Sequence, residues 1–263
     1  MPAYMANLRV SLVQTDLIWE NPSANCAQLE EKLAVLAGQT DVIVLPEMFA
    51  TGFSMSETGA EIGKGPALQW MHLQANRLDA LIVGSLKVKQ QNSFYNRLYA
   101  VRPDGTFSTY DKRHLFRMGN EHEFYQSGDK QGIISYKGWN IALFICYDLR
   151  FPVWSRNVNM AYDAAIYVAN WPAPRSNAWR TLLQARAIEN LSYVIGVNRV
   201  GTDANGLDYA GDSLLVDFKG IPQLDLRSKD QILTSELSAT ELAEFRAKFP
   251  ANLDADSFNL SSL

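Results

Sequence analysis

With 263 residues, 47% of them hydrophobic and 20% charged, the chain has the length and composition of one large globular α/β domain. Its formal net charge of −4 argues against nucleic acid and anionic membranes as partners, and no apolar run approaches the roughly 20 residues that cross a bilayer. Because Met1–Asn7 lacks the basic and apolar blocks of a signal peptide, we expect a cytoplasmic protein.

The first third of the chain alternates strands and helices. Asn21 is a suitable N-cap and Pro22 a suitable first residue for a helix that ends before Gly38. The predicted elements are strand Leu8–Gln14, helix Pro22–Leu36, strand Asp41–Leu45, helix Pro66–Leu78 and strand Ala80–Val88. The first three form a βαβ unit, which places two parallel strands in one sheet.

The middle of the chain changes to hairpins, because strand-like runs there are separated by short turns. One hairpin is predicted from Phe94–Val101 and Phe107–Tyr110, and a second from Gly132–Tyr136 and Trp139–Ile145. Hairpins within an alternating α/β pattern imply mixed sheets.

The last third returns to alternation. The predicted elements are strand Ala164–Ala169, helix Ala178–Leu191, strands Tyr193–Val200, Tyr209–Phe218 and Ile232–Leu237, and a final helix from the capping box Ser238/Glu241 through Phe249. We predict one domain over residues 1–263, with a core at about 8–249 and a carboxyl-terminal arm at 250–263. Two sheets packed face to face, with helices on both outer sides, fit this order better than a (β/α)8 barrel.

Cys146 follows the continuous apolar run Ile141–Ile145, which predicts a strand buried on both faces. Open α/β sheets build their sites at the carboxyl ends of strands, so the thiol lies where a nucleophile is expected. A helix beginning near Phe151–Pro152 would bring its amino end towards this thiol and stabilise a thiolate. The alternative is that Cys146 is a buried small residue with no chemical role.

The other cysteine and the histidines do not suggest a metal centre. Cys26 is in phase with Leu29 and Leu33 on one helical face, which predicts a core position. Two cysteines without CxxC spacing and 3 histidines argue against a disulfide scaffold or a zinc site. We therefore predict no metal and no cofactor.

Glu47 and Lys112 are further candidates for chemistry, and Glu121 is similarly ambiguous on its own. Glu47 ends the strand Asp41–Leu45, the same topological position as Cys146, and is a candidate general base; its alternative is a carboxylate that caps a turn. Lys112 follows the first hairpin, and it is either a solvated surface charge or a buried cationic donor for an oxyanion. The residue pattern alone leaves these alternatives open.

Three motifs in order carry a family resemblance: Leu-Pro-Glu47, Tyr-Asp-Lys112-Arg-His-Leu-Phe and Ile-Cys146-Tyr-Asp-Leu-Arg-Phe-Pro. Together with Asn-Trp171-Pro and later segments, the chain from about Leu8 to Leu237 resembles the nitrilase superfamily of carbon–nitrogen hydrolases. The resemblance implies a four-layer αββα sandwich with two mixed β-sheets, and a homodimer.

It also implies roles for the motif residues. Glu47 would be the general base, Cys146 the nucleophile that forms a thioester, and Lys112 with the backbone N–H of Tyr147 the oxyanion donors. Glu121 best matches a second glutamate that many members have before a glycine turn, with Glu123 as the fallback. Val153 stands where many relatives have a glutamate.

The whole pattern looks most like bacterial ω-amidases, which hydrolyse the terminal amide of 2-oxoglutaramate or 2-oxosuccinamate. Such a substrate needs a cation for its distal carboxylate and a compact apolar wall. Arg150 and Arg175 are candidate cations, although Arg150 has an equally good interpretation as a structural tie. The candidate wall residues are Phe53, Trp171 and Tyr147.

Two alternatives remain at the level of sequence. One is a different carbon–nitrogen hydrolase, such as a nitrilase or an N-carbamoyl amidase, which would share Glu47, Lys112 and Cys146. The other is a non-catalytic metabolite-binding or assembly module that kept the fold. The presence of all three catalytic residue types argues against the second alternative.

Overall fold

The structure is a computed structural model, and it describes residues 6–260. The strands within that range are β1 (Leu8–Gln14), β2 (Val42–Val44), β3 (Glu61–Ile62), β4 (Leu81–Gln90), β5 (Ser93–Val101), β6 (Phe107–Asp111), β7 (Gly132–Tyr136), β8 (Trp139–Ile145), β9 (Ala164–Ala169), β10 (Tyr193–Asn198), β11 (Val200–Thr202), β12 (Asp208–Ala210), β13 (Leu214–Val216), β14 (Pro222–Asp225) and β15 (Gln231–Leu237). The α-helices are α1 (Pro22–Leu33), α2 (Pro66–Leu78), α3 (Glu121–Phe124), α4 (Ser176–Asn190) and α5 (Ala239–Lys248).

The first sheet has the strand order β15-β1-β2-β4-β5-β6, and β3 pairs with β4. Its centre is parallel, since β1, β2 and β4 run in one direction, whereas β15 and β5 are antiparallel to their neighbours. β6 is antiparallel to β5 and therefore runs in the direction of β4. The carboxyl ends of β2 and β6 consequently lie at the same edge of the sheet.

The second sheet repeats this plan with the order β14-β13-β10-β9-β8-β7. Here β8, β9 and β10 form the parallel centre, and β7 and β13 are antiparallel to it. Both sheets are therefore mixed, as the hairpins of the sequence predict. A small third sheet joins β11 to β12.

The two sheets pack face to face, and the helices cover their outer faces. Leu12, Val44 and Val83 of the first sheet share the core between the sheets with alternate residues of the second sheet, such as Leu143 and Ile166. The opposite face of the first sheet packs against α1 and α2 in a separate apolar cluster. α4 covers the second sheet, where Leu183 lies against Gly196 so closely that a side chain at 196 would not fit. The fold is the four-layer αββα sandwich.

The predicted helix boundaries are confirmed at several caps. Asn21 accepts a hydrogen bond from the backbone N–H of Ala24 at 3.1 Å, and Ser238 accepts one from Glu241 at 3.2 Å. α1 ends at Leu33 and continues as a 3-10 turn over Ala34–Leu36, so the predicted end at Leu36 is wrong only in the type of the last turn.

Three sequence predictions are wrong. The strand predicted over Tyr193–Val200 ends at Asn198, and Val200 begins β11 of the small third sheet. No helix begins at Phe151–Pro152; instead Cys146–Arg150 forms a 3-10 turn directly after β8. The single strand predicted over Tyr209–Phe218 is two strands, β12 and β13, because Gly211 and Asp212 both adopt positive φ angles of 70° and 56°. The short strands β3 and β14 were not predicted.

The predictions for the amino-terminal segment and for the carboxyl-terminal arm concern the two ends of the chain. The segment after α5 contains a 3-10 turn at Ala251–Asp254, within the predicted arm. The first five residues of the amino-terminal segment, and the last three of the arm, lie outside the described residues. In the part of the chain that the structure describes, no helix combines the length and the apolar character that crossing a bilayer requires.

Candidate active site

Four strand ends bring the candidate residues together. Glu47 follows β2 and Lys112 follows β6 at one edge of the first sheet, while Cys146 follows β8 in the second sheet. Asn170 follows β9, the parallel neighbour of β8. Because the two sheets face each other, these ends converge on one site.

Cys146 occupies a sharp elbow between β8 and the 3-10 turn. Its φ is 44°, a left-handed conformation that a non-glycine residue adopts at a cost of about 1–2 kcal/mol. The buried carboxylate of Asp148 supports the elbow, since it accepts the backbone N–H of Ile145 at 3.0 Å and the hydroxyl of Tyr110 at 2.7 Å. The turn therefore presents the thiol with a fixed direction, without any helix amino end.

His114 ties the same carboxylate to the segment that carries Lys112. Its backbone N–H donates to Asp148 Oδ1 at 3.0 Å, and its Nδ1 lies 2.8 Å from that oxygen. The imidazole ring stacks on Phe151 with a centroid distance of 3.7 Å. Asp148, Tyr110 and His114 were not among the predicted site residues.

Lys112 lies between two carboxylates, and all three side chains are fully buried. The Lys112 Nζ donates to Glu47 Oε1 at 2.8 Å and to Glu121 Oε1 at 3.0 Å, and lies 2.9 Å from Glu121 Oε2. The backbone N–H of Phe116 donates to Glu121 Oε2 at 2.6 Å. Glu123, the fallback for the second glutamate, has an exposed side chain and does not reach this cluster.

The pKa values reflect this crowded, dry environment. Burial opposes the charge of Lys112, but the carboxylates of Glu121 and Glu47 outweigh it and raise the pKa of its ammonium. Burial raises the pKa of Glu121, and Lys112 opposes that rise. Burial, followed by the negative charge of the Glu47 carboxylate, raises the pKa of the Cys146 thiol well above its ordinary value. The positive charge of Lys112 only partly offsets this rise. This environment favours the neutral thiol over the thiolate at Cys146.

Two asparagines complete the polar network, and sequence reasoning assigned a role to neither. The side-chain amide of Asn96 donates to Glu47 Oε1 at 2.7 Å and to Glu121 Oε1 at 3.3 Å. The backbone N–H of Asn170 donates to Glu47 Oε2 at 2.8 Å, while its carbonyl oxygen lies 3.9 Å from the Cys146 sulfur. Asn170 thus touches both the candidate base and the candidate nucleophile. Asn96 is a polar residue at an inward position of β5, and this position was the signal in the sequence that could have identified it as a site residue.

A cavity of about 500 Å³ opens onto Cys146. Every predicted pocket residue lines it: Phe53, Tyr147, Arg150, Trp171 and Arg175, together with Lys112. Glu47 and Glu121 are not part of the lining. The cavity is large enough for a small amide with a four- or five-carbon chain.

Both guanidinium groups rest on aromatic walls of the cavity. Arg150 lies 4.9 Å from the ring centroid of Trp171, and Arg175 lies 5.4 Å from that of Phe116. Among the described residues, neither Arg150 nor Arg175 forms a salt bridge with a carboxylate. Within residues 6–260, no group of three or more His, Cys, Asp or Glu side chains has the arrangement of a metal site.

Comparison with known proteins gives consistent matches over nearly the whole chain. The family model for carbon-nitrogen hydrolases matches residues 9–247. Omega-amidase YafV of Escherichia coli (strain K12) is 47% identical over 258 residues, which is 97% of this chain and 100% of that protein. The 2-oxoglutaramate amidase of Bacillus subtilis (strain 168) is 32% identical over 92% of this chain and 95% of its own length.

A solved structure gives the same result. A CN-hydrolase superfamily protein from Xanthomonas campestris, with an arsenic adduct in its active site, superposes with a TM-score of 0.95. The two chains are 48% identical, and the alignment covers 98% of this chain and 100% of the other.

Proposed function

The chain belongs to the carbon–nitrogen hydrolase family, and we propose that it is an ω-amidase that hydrolyses the terminal amide of small 2-oxo dicarboxylic monoamides. The observation that carries this proposal is the 47% identity to Omega-amidase YafV over 97% of the chain. The substrates are 2-oxoglutaramate and 2-oxosuccinamate, and the similarity to a 2-oxoglutaramate amidase supports the first. The products are the 2-oxo dicarboxylate and ammonia.

Acylation begins with proton transfer from Cys146 to Glu47. The raised pKa of the thiol supports general-base activation over a preformed thiolate. Asn170 and Asn96 hold the Glu47 carboxylate through hydrogen bonds of 2.8 and 2.7 Å, which orient its oxygens. The sulfur attacks the amide carbon, the C=O π electrons move to oxygen, and a tetrahedral oxyanion forms.

The Lys112 ammonium and the backbone N–H of Tyr147 stabilise that oxyanion. Two carboxylates hold Lys112 protonated and fixed, so it is a preorganised donor at the cavity wall. When the oxyanion collapses, the C–N bond breaks, and Glu47 delivers its proton to the leaving nitrogen. Ammonia departs and leaves a thioester on Cys146.

Deacylation repeats these steps with water. Glu47, again a carboxylate, takes a proton from the attacking water, and the same donors stabilise the second oxyanion. Collapse breaks the C–S bond and returns the proton to the sulfur. Glu121 touches no reacting atom in this scheme; it is a positioning residue that holds Lys112.

Arg150 and Arg175 bind the distal carboxylate of the substrate. Both line the cavity that contains Cys146, and both are held on aromatic rings. Guanidinium groups suit a planar carboxylate because they can donate two parallel hydrogen bonds. Phe53, Trp171 and Tyr147 provide the wall around the short chain of the substrate.

Ammonia release tests the proposed function. The wild type is compared with Cys146→Ala on 2-oxoglutaramate, glutamine, asparagine and a simple nitrile. Release from the 2-oxo amide alone, absent in the variant, supports the proposal. If the enzyme instead turns over glutamine or the nitrile, the proposed roles of Glu47, Lys112 and Cys146 would stand. The proposed 2-oxo amide substrate would then be rejected.

The enzyme is proposed to be a cytoplasmic homodimer. Ile188 of α4 and Ile221 are 54% and 58% exposed, and Ile188 packs against Gly220, the residue that precedes Ile221 in the chain. An exposed apolar pair of this kind suits contact with a second copy. Sedimentation at micromolar concentration checks the dimer, and a single monomeric boundary would count against it.

A further inference from the structure

A second buried lysine lies beside the cavity and takes no part in the scheme above. Lys87 of β4 is 1% exposed, and its side chain points to the segment Phe53–Ser56. Its Nζ donates to the carbonyl oxygens of Ser56 at 2.7 Å and Thr58 at 2.9 Å, and to the Ser54 hydroxyl at 3.1 Å. All three ammonium hydrogens therefore bind uncharged oxygens of residues 54–58.

The segment Phe53–Ser56 forms a wall of the cavity, and all four of its residues line it. The ring of Phe53 lies 5.1 Å from the Lys112 Nζ. Two other links hold the segment: Tyr125 donates its hydroxyl hydrogen to the Ser54 carbonyl at 2.7 Å, and Ser54 and Ser56 both donate to the Glu20 carboxylate. Secondary structure does not hold this segment, so its position depends on these side chains.

We propose that Lys87 is a positioning residue that fixes the cavity wall Phe53–Ser56 and thereby sets the KM for the amide substrate. This inference rests on the proposed function, because it assumes that the substrate binds in that cavity. An isolated ammonium is costly to bury, and a lysine at this place is stable only because Ser54, Ser56 and Thr58 supply three acceptors. Burial lowers the pKa of Lys87 to about 8 and Glu20 opposes the shift, so all three donors are present at pH 7.

Lys87→Met tests the role, because methionine keeps an unbranched apolar side chain, one atom shorter, and removes the donors. Removing the lysine donor from these three acceptors should loosen the segment and raise the KM for 2-oxoglutaramate about tenfold, with kcat changed less than about threefold. Hydrogen exchange gives a second readout that needs no activity: backbone amides of residues 52–58 should exchange at least about tenfold faster.

Lys89→Met is the matched control. Lys89 lies two residues along the same strand, and its Nζ is 3.0 Å from Glu57, whose side chain is 68% exposed. Exposed pairs of this kind contribute little, so KM and exchange should stay within about twofold of the wild type. If Lys87→Met fails to fold, Lys87→Gln, which keeps two N–H donors, carries the test with smaller expected changes.

The outcomes separate the two proposals. Unchanged exchange in Lys87→Met, or equal effects in Lys89→Met, overturns the role of Lys87 in fixing the segment. Faster exchange with an unchanged KM overturns its effect on substrate binding. If the wild type releases no ammonia from 2-oxoglutaramate, the proposed function fails, and the exchange data still decide whether Lys87 fixes the wall.

Discussion

Replacing Lys112 by methionine should separate its contribution to stability from its contribution to catalysis. The wild-type ammonium lies 2.8 Å from Glu47 and 2.9 Å from Glu121, in full burial. Without it, two carboxylates would share the donor group of Asn96, and one of them must take up a proton. Protonating a glutamate of ordinary pKa near 4.3 at pH 7 costs up to about 3–4 kcal/mol.

The double variant Lys112→Met/Glu121→Gln removes that penalty, because its second side chain is neutral. At pH 7 its free energy of unfolding should exceed that of Lys112→Met by about 3 kcal/mol. In Lys112→Met the pKa of Glu121 is raised on folding, so stability is lost as pH rises and is regained as pH falls. The difference between the two variants should therefore shrink to about 1 kcal/mol at pH 5.

Urea unfolding at both pH values measures the stabilities, and ammonia release measures activity. Both variants should have kcat reduced by about 10²–10³, because both lack Lys112, the proposed oxyanion donor. Equal stabilities of the two variants at pH 7 would refute the charge argument. Recovery of activity in the double variant would refute the role of Lys112 as oxyanion donor.

Three further predictions concern the other groups at the site. Arg150→Ala and Arg175→Ala should each raise KM by about tenfold for 2-oxoglutaramate and leave uncharged amides nearly unaffected; equal losses on both substrates would contradict carboxylate binding. Asn96→Ala should lower kcat about tenfold with little change in KM, as measured by steady-state kinetics, because the carboxylate of Glu47 loses a 2.7 Å donor. The alkylation rate of Cys146 with iodoacetamide should still rise between pH 8 and 9, because burial raises the pKa of the thiol; a plateau near pH 7 would contradict a resting thiol.

Much of the fold was predictable because its central strands are continuous apolar runs. The bounds predicted for Leu8–Gln14 and Ala164–Ala169 are those of β1 and β9. A strand buried on both faces ends where its run of apolar residues stops. This change in composition places Cys146 at the end of β8. The convergence of Glu47, Lys112 and Cys146 then follows from the common direction of β2 and β6 in the first sheet and from the packing of that sheet against the one that contains β8.

The elbow at Cys146 was not predictable from local sequence. Pro152 is a good first residue of a helix, but residues far away in the chain decide the conformation here. Asp148 accepts hydrogen bonds from Tyr110 and His114, 38 and 34 residues distant, and holds the turn in place of a helix. Local propensity carries no information about such partners.

The same limit explains the break between β12 and β13. The backbone N–H of Ser213 donates to Gln14 Oε1 at 2.9 Å, across 199 residues, and this contact takes the place of a strand pairing. Lys87 is a further example. Its burial depends on carbonyl groups about 30 residues earlier, and nothing in its own strand indicates them.

The covalent step on Cys146 is the central claim, and mass spectrometry of the acid-quenched enzyme during turnover tests it most directly. With 2-oxoglutaramate in excess, the peptide that contains Cys146 should carry the mass of the acyl group, and the peptide that contains Cys26 should not. The adduct should disappear when substrate is exhausted. Turnover without any adduct on the Cys146 peptide, together with full activity of Cys146→Ala, would contradict the account.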